Sequence, residues 1–168
     1  MNDSEIRSKL ADFGREILYK TSLQDGLPHI SKYVKEITGA DRCSMFIYNP
    51  NKNELWTTLA DGVERIVVPA DKGITAATLR IKKPIIENDP YSNSSFFPNI
   101  DRDTGYNTNN IATVPIFNSN KEIVGILELL NKDGGFNDTD IKYMKFFAHS
   151  LSEFIDLANL YEVKDNKS

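Results

Sequence analysis

Glu128 is the residue from which a chemical reading of this chain starts. It stands in the run Ile123 to Leu130, with Ile123, Gly125, Leu127 and Leu129 expected on one face and Val124, Ile126, Glu128 and Leu130 on the other. A run that is apolar on both faces reads as a central strand covered on both sides. A carboxylate there needs a hydrogen-bond donor from protein, water or ligand. It can accept from the N–H groups of a heterocycle, or it can pair with a lysine on a partly wet face. A second group is Gly73 ahead of Ile74-Thr75, where the free N–H groups of a helix start suit a phosphate; an ordinary glycine before a helix has the same appearance. A third is the polar stretch from Asn88 to Asn110, which carries Asp101, Thr104 and Thr108 beside Phe96 and Phe97. A stretch of that length is either a lid over a polar ligand or a mobile surface loop.

Other chemistries find little support. The single cysteine, Cys43, lies in a strand-like apolar run without a histidine partner, so it reads as a small buried thiol rather than a nucleophile. One cysteine also excludes a disulfide framework within the chain. The two histidines, His29 and His149, sit in separate helical patterns. Asp101 and Asp103 make a weak carboxylate pair, short of the cluster that a metal needs, and no phosphate-cradling loop of the nucleotide-hydrolase kind is present. No cofactor and no catalytic residue is expected.

The 168 residues suit one domain with its own core, and 40% hydrophobic with 26% charged residues fit a soluble globular chain. A net charge of −4 without a basic block argues against a nucleic-acid partner. No signal peptide and no membrane-spanning run is found, so a cytoplasmic location is expected.

The elements that must position these groups follow in order. Residues 3–20 read as a helix with Ile6, Leu10, Phe13 and Ile17 on one seam. Ser22 can cap a second helix over 23–38, which Gly39 ends. Three strands joined by turns, at 43–48, 54–60 and 64–68, predict an antiparallel meander. A short helix from Ile74 stops before Pro84, and an extended piece covers 84–87. Strands at 111–117 and 123–130 precede a helix over 138–161, with Ile141, Met144, Ala148, Leu151, Ile155 and Ala158 on its seam.

This order of elements resembles a GAF domain from about Leu23 to Leu160. Asn131-Lys132, Phe136 and Asp140 are similar to the Asn-Lys-Phe-Asp-Glu signature of the GAF domains of cyclic-nucleotide phosphodiesterases and adenylate cyclases; its final Glu is Ile141 here. The runs Arg42 to Phe46, Val68 to Ile74 and Asp101 to Ile111 are similar to the same family. The resemblance implies an α+β fold, with a central antiparallel sheet of about six strands and helices on both faces. It implies a GAF domain over 21–162, an N-terminal amphipathic helix over 1–20 for dimerisation or signalling, and a frayed tail over 163–168. It makes Lys132–Asp140 a structural bridge away from the ligand.

For the site, the resemblance implies a pocket serine at Ser44, an aspartate at Asp61, a base-reading glutamate at Glu128, and lid residues at Phe97, Asp101, Thr104 and Thr108. Ile74 and Thr75 fall at the helix start, where the family has a small alanine in the place of Thr75. The family's purine-stacking aromatic falls on Ala60, a departure that weakens the match. The function implied is a regulatory sensor that binds a small molecule, cyclic AMP or cyclic GMP, and relays the signal to an output domain or partner protein. A GAF domain with another ligand or none, serving dimerisation and relay, is the rival. Free methionine sulfoxide reductase, the enzyme of the same fold, requires more cysteines than this chain has. The two apolar seams exceed what one sheet face can cover, which predicts a homodimer packed through the terminal helices.

Overall fold

The computed structural model of the chain describes residues 1–20, 22–60, 67–94, 96 and 107–165; for residues 23, 24, 58–60 and 157–165 it describes the backbone alone. Helix α1 spans Asp3–Ile17 and α2 spans Leu23–Thr38. The ends of α2 are those its sequence marks. The Ser22 hydroxyl accepts the Asp25 N–H at 3.2 Å, and Gly39 closes the helix at φ 83°. Strands β1 (Arg42–Asn49), β2 (Glu54–Ala60) and β3 (Val67–Pro69) form the antiparallel meander. Helix α3 (Gly73–Ile81), β4 (Ile85–Glu87) and a short 3₁₀ turn at Pro90–Ser92 follow. Then come β5 (Ile111–Phe117), β6 (Ile123–Leu130) and α4 (Asp138–Asp165). Helix α4 runs past Tyr161, so residues 163–165 continue it.

The six strands form one antiparallel sheet in the order β3-β2-β1-β6-β5-β4. One face carries the main core, in which Cys43, Met45, Val114, Leu127 and Leu129 meet α2, α4 and Phe13 of α1. The other face is covered by α3, and its smaller cluster joins Phe46, Leu55, Val68, Leu79 and Ile126. The fold is α+β, with helices on both faces of a six-stranded sheet.

Strand β6 is central, between β1 and β5, but its first two residues depart from simple alternation. Ile116 pairs with Gly125 while Phe117 pairs with Ile123, so the register skips Val124. The irregularity turns Val124 toward the main core and Ile123 toward the smaller cluster, the reverse of the expected faces. Gly125 faces a hard limit: a Cβ there would lie 2.4 Å from the Phe46 carbonyl oxygen of β1.

Helix α4 is fastened to the end of β6. Lys132 Nζ lies 2.7 and 2.8 Å from the two Asp140 carboxylate oxygens. Asp140 is 3% exposed, and its Oδ2 also accepts the Asn137 N–H at 2.9 Å. Asn137 returns the bond by accepting the Asp140 N–H at 3.1 Å, which closes the first turn of α4. Asn88 holds Phe136 from the other side, accepting its N–H at 3.0 Å.

Helix α1 is anchored by Phe13, which is 1% exposed; Ile6, Leu10 and Ile17 pack around it at partial burial. The His29 ring of α2 stacks on Phe13, with centroids 5.4 Å apart. Its Nε2 is buried without a hydrogen-bond partner, although Glu16 Oε2 lies 3.5 Å away. Burial pushes the His29 pKa below its ordinary range, against the opposing pull of Glu16.

Two expectations follow. His29 binds a proton less readily folded than unfolded, so its contribution is intact above the ordinary imidazole pKa and falls as pH drops below it. Thermal melts of the chain and of His29→Asn should show a smaller acid-induced loss in the variant; parallel losses would remove His29 as the cause. Asp140→Asn strands a lysine and weakens the α4 cap, which should cost roughly 3 kcal/mol. Urea unfolding measures it, and a loss below about 1 kcal/mol would make the bridge a surface-like pair.

Candidate functional site

Glu128 sits on the α3-covered face of the sheet, opposite the main core. Register places it between Ser44 of β1 and Thr113 of β5, and residues paired in this way lie side by side on one face. Both neighbours are buried. Thr113 shares a 2.6 Å hydrogen bond with Thr78 of α3, so the helix is tied to the row that holds Glu128.

A cavity opens beside this row, under the start of α3. Its polar wall is Glu128, Thr75, Thr108 and Lys72; Phe46, Ile74, Phe96 and Leu130 supply apolar surface. The cavity is half-open, with a volume of about 60 Å³. Helix α3 begins at Gly73, whose φ of 94° suits glycine. Lys72 is the N-cap residue and makes no side-chain cap bond, so the first N–H groups of α3 keep their donor capacity toward the cavity. Thr75 is 8% exposed and adds a hydroxyl to that first turn. The arrangement has two chemical poles: a carboxylate acceptor on the sheet, and a cation with helix N–H donors across from it.

Thr108 is held by a network at the end of β6. Asn131 is in the left-handed region at φ 59°; its Oδ1 accepts from Asn109 N at 2.6 Å and Asn110 N at 3.2 Å, and its Nδ2 donates to the Asn107 carbonyl at 2.8 Å. Asn110 in turn accepts the Lys132 N–H at 2.8 Å and donates to its carbonyl at 3.0 Å. Asn131 and Lys132 thus fix the chain on either side of Thr108, while Phe136 and Asp140 bind the same corner to α4 and the core.

Of the residues singled out in sequence, Ile74, Thr75, Thr108 and Glu128 line this one cavity, and Ser44 stands next to Glu128. Asp61, Phe97, Asp101 and Thr104 lie outside the described residues. Ala60 pairs with Ser44 in register at the end of β2. Lys72 was not among the expected site residues; its signal was a cation placed directly before the helix-starting glycine. Cys43 is buried on the main-core face, across the sheet from the cavity. Among the described residues no group of three or more His, Cys, Asp or Glu is placed to hold a metal, and no helix is long and apolar enough to cross a membrane.

Known proteins match this architecture. The family model described as GAF domain matches residues 22–155. A cGMP-specific 3',5'-cyclic phosphodiesterase of Drosophila mojavensis is 29% identical over 146 residues, which cover 76% of this chain and 13% of that protein. The chain thus spans about an eighth of that relative's length. The GAF domain of a phosphoenolpyruvate-protein phosphotransferase from Coxiella burnetii superposes with a TM-score of 0.85 at 17% identity, covering 97% of this chain and 99% of that one. The free methionine-R-sulfoxide reductase of Neisseria meningitidis, solved with its substrate, gives 0.77 at 17% identity over 96% and 95% of the two chains. At such identities the structural matches speak for the fold, and the family match over residues 22–155 carries the assignment: the chain belongs to the GAF domain family.

Proposed function

We propose that this chain is a regulatory sensor module whose cavity binds a cyclic nucleotide, with cyclic GMP preferred over cyclic AMP. The observation that carries the reading is the pairing of Glu128 with the Lys72–Thr75 helix start across one cavity. A guanine presents two adjacent N–H donors to a carboxylate, whereas adenine presents one donor beside an acceptor that the carboxylate repels. The phosphodiester would lie at the α3 N-terminus, where the N–H groups and Lys72 favour an anion. Phe96 in the cavity wall offers a face for the base, a role that Ala60 cannot serve. Asp101, Thr104 and Phe97 are proposed as lid contacts and Asp61 as a further pocket contact, with Ser44 and Thr108 completing the polar lining. The relatedness to a cGMP-specific phosphodiesterase supports this reading. A regulatory rather than catalytic role is favoured by Cys43, the sole cysteine, which lies on the wrong side of the sheet for redox work in the cavity.

The signal would leave through α1 and α4 to an output domain or partner. A homodimer would form on the same side. The seam residues Phe13, Met144 and Leu151 are taken up by the chain's own core, so the second copy would dock on what stays exposed: Leu18 at 80%, Tyr19 at 85% and Phe146 at 46%.

Cyclic GMP at millimolar concentration should raise the melting temperature, and more than cyclic AMP does; a ligand at a hundredfold its dissociation constant adds about 2.7 kcal/mol. Glu128→Gln should weaken cyclic GMP by roughly ten- to a hundredfold, the loss of a charge-assisted hydrogen bond, and leave the folded state intact. If neither nucleotide moves the melt, the domain takes another ligand or none. Light scattering at high micromolar concentration should give the mass of a dimer, reduced to that of a monomer by Tyr19→Asp with Phe146→Lys; a monomeric mass for the unaltered chain would sink the dimer.

A further inference from the structure

A second concavity lies at the sheet edge, away from the nucleotide site. Its origin is the shortness of β4. That strand pairs with β5 only at Ile111, Ala112 and Thr113, so among the described residues no strand lies on the β4 side of β5 beyond Thr113. The gap sits between the end of α3 and the outer side of α4. Pro84, Pro115, Phe117 and Ala148 make an apolar floor, and the volume is about 340 Å³. That falls within the range of small-molecule sites, roughly 300–1,000 Å³.

The rim has one sign of charge. Lys82 and Lys83 come from the α3–β4 junction, Lys145 and His149 from α4, and among the described residues no carboxylate lines the space. Lys82 is held in place as the left-handed cap of α3, its N–H donating to the Thr78 carbonyl at 2.9 Å. Among the described residues no carboxylate forms an ion pair with Lys82, Lys83 or Lys145; His149 has Glu153 at 3.7 Å. The cluster stands out on a chain whose net charge is −4. Lysines beside an open strand edge can also serve to repel other strands. That role alone does not require a recess of ligand size, and Pro115 already removes an N–H donor from this strand.

We propose that this recess is a second ligand site, separate from the cavity under α3, for a small organic anion: an apolar body on Pro84, Pro115 and Phe117, and an acidic group between Lys83 and Lys145. The floor supplies burial without direction, and the cations supply selection for charge. The site is independent of whether the first cavity takes a nucleotide.

The test uses the full chain and the dye anilinonaphthalene sulfonate, with uncharged N-phenylnaphthylamine as its apolar counterpart. The sulfonate should bind with enhanced, blue-shifted emission, more tightly than the uncharged dye, and its amide shift changes in NMR should centre on Lys83, Phe117 and His149. The double variant Lys83→Glu with Lys145→Glu should weaken the sulfonate at least tenfold at unchanged melting temperature, and Phe117→Ser should weaken both dyes. Glu128→Gln should change neither. Displacement of the dye by cyclic GMP, equal affinity for both dyes, or undiminished binding to the double variant would each overturn the proposal. So would a double variant whose only change is self-association, since the lysines would then be edge guards alone.

Discussion

The Lys132–Asp140 ion pair is the constraint on which the rest of the structure depends. It joins the end of the central strand to the first turn of the longest helix across a sequence gap of eight residues. A buried carboxylate is costly unless its oxygens are fully engaged. Here they hold an ammonium and a backbone N–H at once. The pair fastens the first turn of α4 to the end of β6, at the corner where Asn131 and the Lys132 backbone hold the chain on either side of Thr108.

The two faces of the sheet differ in what they carry. The face under α2 and α4 has a large continuous core closed by Phe13, Phe147 and Leu151. The opposite face has α3 and a small cluster, and its polar residues Glu128, Thr113 and Ser44 stand in one row. A polar row, buried at Thr113 and Ser44 and half-buried at Glu128, can persist there because the apolar face behind it carries most of the burial. This separation leaves polar side chains on one face of the same strands whose other face is apolar.

Much of this was legible in the sequence wherever a local rule governs. Ser22 and Gly39 bound α2, Gly73 marks the start of α3, and the runs of β1 and β5 end at turn-forming residues. Glu128 was visible as a lone carboxylate on an apolar strand, though its neighbours Ser44 and Thr113 became neighbours only through register. What was not legible depends on pairing between distant segments. The skipped Val124 arises where β5 meets β6 and has no signal within β6 itself. The burial of Phe13 depends on α1 folding back over α2, where a seam alone would fit an interface as well. The basic recess draws on residues 82–84, 115–117 and 145–149, which no window of sequence brings together.

The smallness of the cavity under α3 has a consequence for responsiveness. About 60 Å³ holds little beyond a few water molecules; a larger ligand that needs a wider cavity would bind a rearranged population. Apparent affinity is then the intrinsic affinity scaled by that population: a competent state present at about 1% weakens binding roughly a hundredfold. Under the proposed function, the concentration that elicits a response would then be written partly in residues that never meet the ligand. The Thr78–Thr113 hydrogen bond, which clamps α3 to the sheet, is one of them. Loosening that clamp would tune sensitivity without altering what is recognised, which lets threshold and selectivity evolve separately.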